Sequence, residues 1–235
     1  VIWPAVLHMF TWLPWFAGEN SVYRHSVGAR VEDTWMPDAL QSWLYYQSSV
    51  LDFHSSLTTS AGNRHPWESK PWTWPMGLRP MLYFIEQGEE VTGCGQETCV
   101  RAIMLLGTPA IWWTALPVLG WALWRAVLCR DGRYAFALVG YSAGFLPWFF
   151  QHDRQMYFFY AAVMVPFFVM LLVLTLGEIA GRATDPPARR QVGLALVSVY
   201  VAVVLANFVY MLPVVTGMPI TQAQWYQQLW LPSWK

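Results

Sequence analysis

Four long runs of predominantly apolar residues dominate this chain and limit what it can fold into. They span residues 100–124, 134–150, 156–177 and 192–215. A helix needs about 20 mostly apolar residues to cross a bilayer. Only 12% of the 235 residues are charged, whereas soluble domains carry roughly 25%. The pattern predicts an all-α, multi-pass membrane protein with four transmembrane helices.

A fifth apolar run, residues 1–17, opens the chain. It starts at Val1 rather than at a methionine, and it has neither the basic region nor the small-residue cleavage site of a signal peptide. We therefore interpret it as the end of a truncated transmembrane helix. The chain is expected to be the C-terminal part of a longer protein.

The charges of the connecting segments predict the orientation in the membrane. Two short loops are rich in arginine and hold Arg125, Arg130, Arg133, Arg182, Arg189 and Arg190 against Asp131, Glu178 and Asp185. Short basic loops lie on the cytoplasmic side. The long segment 17–99 holds five basic and ten acidic residues, so we place loop 18–99 and the tail 216–235 outside the cytoplasm. The expected location is the plasma membrane.

The long outer loop contains recognisable local patterns. Between residues 38 and 57 apolar side chains recur at helical spacing, which predicts an amphipathic helix lying in the membrane interface. Packing of the same stripe on other helices is an equal alternative. The run "MLYFIEQ" (81–87) predicts a short strand. Cys94 and Cys99 either form a small disulfide staple, as outer cysteines often do, or stay unpaired.

Familiar signatures of soluble enzymes are missing from this sequence. It has no glycine-rich phosphate loop, GxSxG elbow or HExxH motif. His65 and Glu68 have the spacing of a metal pair, but Pro66 interrupts a helix and no third ligand is evident, so no metal site is predicted. A net charge of zero and the lack of a basic tract argue against a nucleic-acid partner.

Cationic and aromatic side chains concentrate at the predicted outer face. His65, Lys70 and Arg79 come from the loop, and Arg154 comes from the tight turn between two spans. Taken together, such groups suit an anionic lipid headgroup, whereas for any single one of them anchoring of the chain at the interface is the simpler interpretation. Trp72 and Trp74 add flat faces suited to a sugar or a lipid.

Several motifs in this region resemble the protein O-mannosyltransferase family. "FHSSL" (53–57) and "HPWESKPWTWP" (65–75) resemble its outer-loop signature, and "LLGTPAIWW" (105–113) resembles the helix that follows. "FLPWFFQHDRQMYFFYAAVMVPFF" (145–168) is similar to its Leu-Pro-Trp and Phe/Tyr-rich helix pair. "WLPSW" (230–234) resembles the ending of the actinobacterial members. The similarity extends over essentially the whole chain.

The resemblance implies a GT-C glycosyltransferase, of which this chain would be the C-terminal four-helix region. Such an enzyme moves mannose from polyprenyl-phosphate-mannose to Ser or Thr hydroxyls of secreted proteins, with inversion at the anomeric carbon. The partners implied are membrane lipid, the lipid-linked donor, secreted acceptor proteins and the Sec translocon. On this basis Arg154, His65, Lys70 and Arg79 are the candidates for contacting the donor phosphate.

The acidic catalytic pair of the family lies in its first outer loop, upstream of Val1. The catalytic base is therefore unassigned, and the chain alone is predicted to be inactive. His54, Glu68, Trp72 and Trp74 are candidates for orienting the acceptor or the loop. No cofactor is required, because arginine and lysine can neutralise one phosphate, and a divalent ion stays an open alternative. The alternative functions are a related lipid-phosphate-sugar transferase with a glycan or lipid acceptor, and a transporter or membrane subunit.

Overall fold

A computed structural model describes residues 2–60 and 65–235. The predicted truncated helix begins at Val1, which lies outside these residues. The chain divides into two compact units, Val1–Ala61 and Gly62–Lys235. The long loop predicted from the sequence therefore contributes to both units.

The first unit is built from three helices. α1 (Ile2–Thr11) and α2 (Leu13–Ala17) follow one another, and they form where the sequence predicts the end of a helix. α3 (Asp38–Ser56) begins after Pro37, close to the predicted start at residue 38. Its buried residues are the polar Gln41 and Ser42, and the Ser42 hydroxyl accepts a hydrogen bond from the main-chain N–H of Ser26 at 3.1 Å.

The apolar residues on α3 behave differently from its buried polar ones. Leu44 and Leu51 are exposed within the chain. The apolar stripe is therefore only partly covered inside this chain, since Trp43 of the same stripe packs against Trp12 and Phe16.

The second unit combines helices with a small antiparallel sheet. The strands are β1 (Met81–Gly88), β2 (Cys99–Leu105) and β3 (Ile220–Thr221), in the order β1-β2-β3. Met81 pairs with Leu105, and Cys99 pairs with both Gly88 and Thr221. β1 confirms the strand predicted at residues 81–87.

The sheet corrects two expectations. The chain is mostly helical rather than all-α, and the first apolar run cannot be a helix from Val100, because residues 100–105 lie in β2. A short apolar run is compatible with either a strand or a helix. Here pairing with β1 selects the strand.

Helices occupy the remainder of the apolar runs. They are α4 (Pro109–Trp112), α5 (Ala115–Val127), α6 (Gly132–Phe145), α7 (Val165–Ala180) and α8 (Pro187–Thr216). Short 3₁₀ segments at Leu146–Phe150 and Phe158–Val163 separate α6 from α7. A proline near the start of α4, α7 and α8 suits a helix N-terminus, where its missing N–H leaves no bond unmade.

The helices differ in their capacity to cross a bilayer by themselves. Within residues 2–60 and 65–235, only α8 is a single helix that is both long and apolar enough, and α7 is a shorter apolar helix. α8 has 30 residues, which gives a length of about 45 Å. The predicted spans 134–150 and 156–177 each combine an α-helix with one of the 3₁₀ segments.

α7 and α8 pack closely at a single glycine. A Cβ atom added to Gly193 would lie 2.1 Å from the carbonyl oxygen of Ile179. This position therefore needs glycine for the two backbones to approach.

Two clusters of buried side chains hold the second unit together. One lies among α5, α6 and α7 and includes Trp74 from the segment before the sheet. The other joins β2 to the end of α8 and to the C-terminal residues, through Val100, Met211, Trp225 and Trp234. The predicted tail is consequently an ordered part of this unit, with a helix α9 (Gln222–Gln228) and a 3₁₀ turn at Pro232–Trp234.

Candidate functional site

The segment 65–79 is fixed to the helical bundle by its central residues. The main-chain N–H of Ser69 donates to the carbonyl of Met156 at 2.8 Å. The Ser69 hydroxyl accepts a hydrogen bond from Trp74 Nε1 at 2.9 Å. Residues 71–76 form a 3₁₀ helix that ends at Gly77, whose φ of 58° suits glycine. These contacts set the position of the charged residues on either side of Ser69.

Two of the predicted phosphate-binding residues, Lys70 and Arg154, are in contact. Lys70 Nζ lies 2.7 Å from Glu68 Oε1, and it donates to the main-chain carbonyl of Arg154 at 3.4 Å. The side chains of Lys70 and Glu68 are 26% and 9% exposed. The three residues, here called the Glu68–Lys70–Arg154 cluster, carry two positive charges and one negative charge.

The Arg154 guanidinium lies beside a pair of stacked aromatic rings. Its Nη2 donates to the Tyr160 hydroxyl at 3.3 Å, and its central carbon is 5.9 Å from the centre of the Tyr160 ring. Tyr160 stacks on Trp148 with the ring centres 4.4 Å apart. Contact with an aromatic ring restricts the orientation of the guanidinium plane, so its N–H donors keep a defined direction.

Arg79 has a different environment from the cluster. Its guanidinium donates to the main-chain carbonyls of Ser233 and Pro66 and lies 5.1 Å from the centre of the Trp67 ring. The Ser233 hydroxyl in turn donates to the carbonyl of Leu78. These bonds connect Arg79 to the C-terminal turn, which gives it a structural role in joining two distant parts of the chain.

The predicted histidines and tryptophans fall into separate surroundings. His65 is exposed and meets the Tyr157 ring edge-on, with the ring centres 5.3 Å apart. His54 lies in the last turn of α3, in the first unit. Trp72 is 66% exposed, whereas Trp74 is fully buried. Trp74 can orient the loop, but it has no face open to an acceptor.

The predicted outer cysteines form a disulfide between Cys94 and Cys99. Cys99 is the first residue of β2 and is 1% exposed. The bond closes the turn that joins β1 to β2, so it ties the connection to a buried position of the sheet.

Sequence reasoning missed Ser69, Tyr160 and Trp148 as parts of this site. Each acts through a contact between segments distant in sequence, or through stacking, that spacing does not encode. One signal was present: "HDRQMYFFY" (152–160) places several aromatic residues soon after Arg154. Arginine followed by a dense aromatic run favours a cation–π contact.

The arginine-rich end of the helices holds a separate ion-pair network. Asp131 caps α6 by accepting from the main-chain N–H of Arg133 at 3.1 Å. Its carboxylate also lies 2.8 Å from Arg133 Nη2 and 3.1 Å from Arg125 Nη2. Hydrogen bonding from the Arg133 side chain, with help from its backbone N–H and from the charge of Arg125, lowers the pKa of Asp131 from 3.8 to about 2. Arg125 Nε also lies 2.9 Å from Glu178 Oε1.

A membrane-length helix and a shorter apolar helix are features expected of a helical membrane protein, and comparison with known proteins identifies the family. Residues 39–234 match the family described as the C-terminal four TMM region of protein-O-mannosyltransferase. The chain belongs to this family. The resemblance noted from the sequence motifs is thereby confirmed.

Curated relatives agree with the family match. The chain is 54% identical over 99% of its length to a polyprenol-phosphate-mannose–protein mannosyltransferase of Mycolicibacterium smegmatis. It is 43% identical over its full length to the protein of that name in Corynebacterium glutamicum. It spans 45% and 46% of these two relatives.

A solved structure shares the fold. It is the Saccharomyces cerevisiae protein O-mannosyltransferase Pmt1-Pmt2 complex bound to the sugar donor. The match to one of its chains covers 89% of the present chain and 29% of the yeast chain. The TM-score is 0.63 and the sequence identity is 19%. The arrangement of helices is therefore common to both chains.

Proposed function

We propose that this chain is the C-terminal membrane part of an enzyme that transfers mannose from polyprenol-phosphate-mannose to Ser or Thr hydroxyls of secreted proteins. The observation that carries the proposal is 54% identity, over 99% of the chain, to a relative named for this donor and for protein acceptors. The loop and tail would lie on the outer side of the membrane. Secreted acceptors emerge from the Sec translocon on that side.

The Glu68–Lys70–Arg154 cluster is the proposed contact for the donor phosphate. The cluster brings a lysine and an arginine to one place, and Glu68 pairs with the lysine. This arrangement suits a phosphodiester monoanion, and it would favour the departing phosphate more strongly because negative charge grows there in the transition state. The Arg154 fork can bind two phosphate oxygens at once.

Deprotonation of the acceptor hydroxyl needs a carboxylate that this cluster does not supply. The one carboxylate of the cluster, Glu68, is paired with Lys70 at 2.7 Å. We therefore propose that the base is the acidic pair expected upstream of Val1, acting in an inverting displacement. No cofactor is needed in this scheme, because the two cations face a single phosphate.

The test is transfer of mannose to a Ser/Thr peptide by the protein expressed from its complete gene. We expect Lys70→Ala and Arg154→Ala each to lower kcat/KM about a hundredfold, the usual effect of losing one donor to a developing anion. Arg101→Ala is the matched control, because Arg101 lies in β2, is 43% exposed and approaches Glu86 only to 3.9 Å.

The two parts of the proposal fail separately. Full activity in both variants would remove the phosphate role of the cluster but leave the transferase function standing. Absence of transfer by the wild-type protein, with polyprenol-phosphate-mannose supplied, would contradict the function itself.

A further inference from the structure

An apolar groove lies between α5, α7 and α8. Its lining residues do not include Glu68, Lys70 or Arg154. Its volume is about 670 Å³, within the range of small-molecule sites. The walls are mainly apolar and include Trp121, Leu172, Leu176, Leu196 and Val197. The mannosyl transfer proposed above assigns no role to this groove.

The dimensions of the groove match one leaflet of a membrane. On α8 its lining runs from Arg189, in the first turn, to Tyr200. Eleven helical residues rise about 16 Å, and half of a bilayer hydrocarbon core is about 15 Å. The groove therefore accommodates an acyl chain that starts at the arginine-rich end and reaches the membrane midplane.

The rim of the groove has a positively charged group in a fixed position. Arg189 Nη1 donates to the carbonyl of Ile179 at 2.8 Å, and Nη2 donates to the carbonyl of Glu178 at 3.3 Å. Both acceptors are main-chain oxygens at the end of α7, so these bonds hold the guanidinium without cancelling its charge. In the part of the chain that the structure describes, Arg189 forms no ion pair within 4.0 Å.

One acidic residue, Glu178, also lines the groove, and its carboxylate is paired with other groups. The Glu178 carboxylate points toward α5, where it lies 2.9 Å from Arg125 Nε and accepts from Trp121 Nε1 at 3.1 Å. The loop that leads into α8, residues 181–190, holds three arginines and one aspartate. The Asp185 carboxylate accepts from the main-chain N–H of Arg182 at 2.8 Å. The rim is therefore net positive.

From this arrangement we infer that the groove binds one anionic phospholipid from the leaflet that borders the arginine-rich loops. One acyl chain fills the groove, and the headgroup phosphate contacts Arg189. Charge complementarity selects this occupant over a neutral lipid, since clustered arginines next to a membrane span favour anionic headgroups.

Native mass spectrometry of the detergent-purified protein, expressed from its complete gene, tests the inference. The probes are phosphatidylglycerol and phosphatidylcholine with identical acyl chains. We expect one phosphatidylglycerol to stay bound per protein chain, with about fivefold preference over phosphatidylcholine. Arg189→Gln should abolish the preference, and Arg189→Lys should preserve most of it.

A substitution that fills the groove separates chain binding from headgroup binding. Leu196→Trp should lower retention of both lipids at least about fivefold, whereas Leu205→Trp should leave it unchanged. Leu196 and Leu205 lie on the same helix and are 58% and 59% exposed, but only Leu196 lines the groove. Unfolding temperatures of all variants identify any that are misfolded.

Three results would overturn the inference. The first is equal retention of the two lipids by the wild-type protein, and the second is undiminished retention by a folded Leu196→Trp variant. If another protein segment or a second copy of the chain covers the groove, neither lipid will be retained, which also contradicts it.

Discussion

Lys70 Nζ and Glu68 Oε1 are 2.7 Å apart, and the Glu68 side chain is 9% exposed. The two residues are separated by Ser69, whose hydroxyl and main-chain N–H are bonded to Trp74 and Met156. A buried anchor thus lies between two charged residues. This geometry holds the Lys70 ammonium in one place, and it makes Glu68 a positioning residue for the proposed phosphate contact.

Glu68→Gln should impair transfer through the position of Lys70. Loss of the carboxylate charge removes the ion pair that helps to hold the Lys70 ammonium, and we expect kcat to fall about ten- to hundredfold because small misplacements of this kind are costly. KM for the donor should change much less than kcat. Steady-state kinetics of the protein from its complete gene provide the measurement, with Glu86→Gln as the control. An unchanged kcat would rule out the positioning role.

Tyr160→Phe should weaken the arrangement of Arg154 only modestly. The change removes the hydroxyl that accepts from Arg154 Nη2 at 3.3 Å but keeps the ring that stacks on Trp148. One such hydrogen bond contributes about 1 kcal/mol, so kcat/KM should fall about fivefold. Tyr83→Phe, at an exposed position of β1, is the matched control. A loss as large as that of Arg154→Ala would mean that the hydroxyl has a direct role.

Removal of the disulfide should destabilise the sheet. Cys94 and Cys99 close a short loop, for which the chain-entropy model gives about 2 kcal/mol. We expect Cys94→Ser to unfold at a lower temperature than the oxidised wild type. Its unfolding temperature should not change when a reductant is added. Wild type should fall to the same value only after reduction. Cys129→Ser, which removes an exposed free thiol, should have no effect.

Lowering the pH should remove the contribution of the Asp131 carboxylate to the stability of the folded chain. Hydrogen bonds from Arg133 lower its pKa from 3.8 to about 2 in the folded chain. A depressed pKa means that the stabilisation is fully present above the unfolded-state value and is lost as the pH falls through the folded-state value. Asp131→Asn, which keeps an N-capping oxygen, should unfold at a lower temperature than wild type near neutral pH.

The difference between Asp131→Asn and wild type should shrink as the pH falls between about 4 and 2. Thermal unfolding followed by tryptophan fluorescence measures it. A constant difference over this range would show that the carboxylate charge does not contribute.

The residues of the cluster can be predicted from the sequence, but their contacts with one another cannot. Lys70 and Arg154 are predicted as cations at the outer face beside aromatic residues, and Glu68 only as a residue that orients the acceptor or the loop. The family resemblance followed from motifs in the same segments. Arg79 was grouped with them for the same reason, but its bonds to Ser233 and Pro66 depend on how the C-terminal turn folds back.

The sequence by itself determined the membrane class, the predominance of helices, the strand at 81–87 and the family resemblance, because apolar run length, residue alternation and local motifs are properties of short segments. Tertiary structure decided the rest. Residues 100–105 became a strand because β1 supplied hydrogen-bonding partners along them and β3 added a partner at Val100, which no local pattern reveals. The pairing of Lys70 with Glu68 beside the carbonyl of Arg154 likewise required the chain to bring position 154 back to position 70, a contact set by the packing of Trp74 against Trp148 and Tyr160.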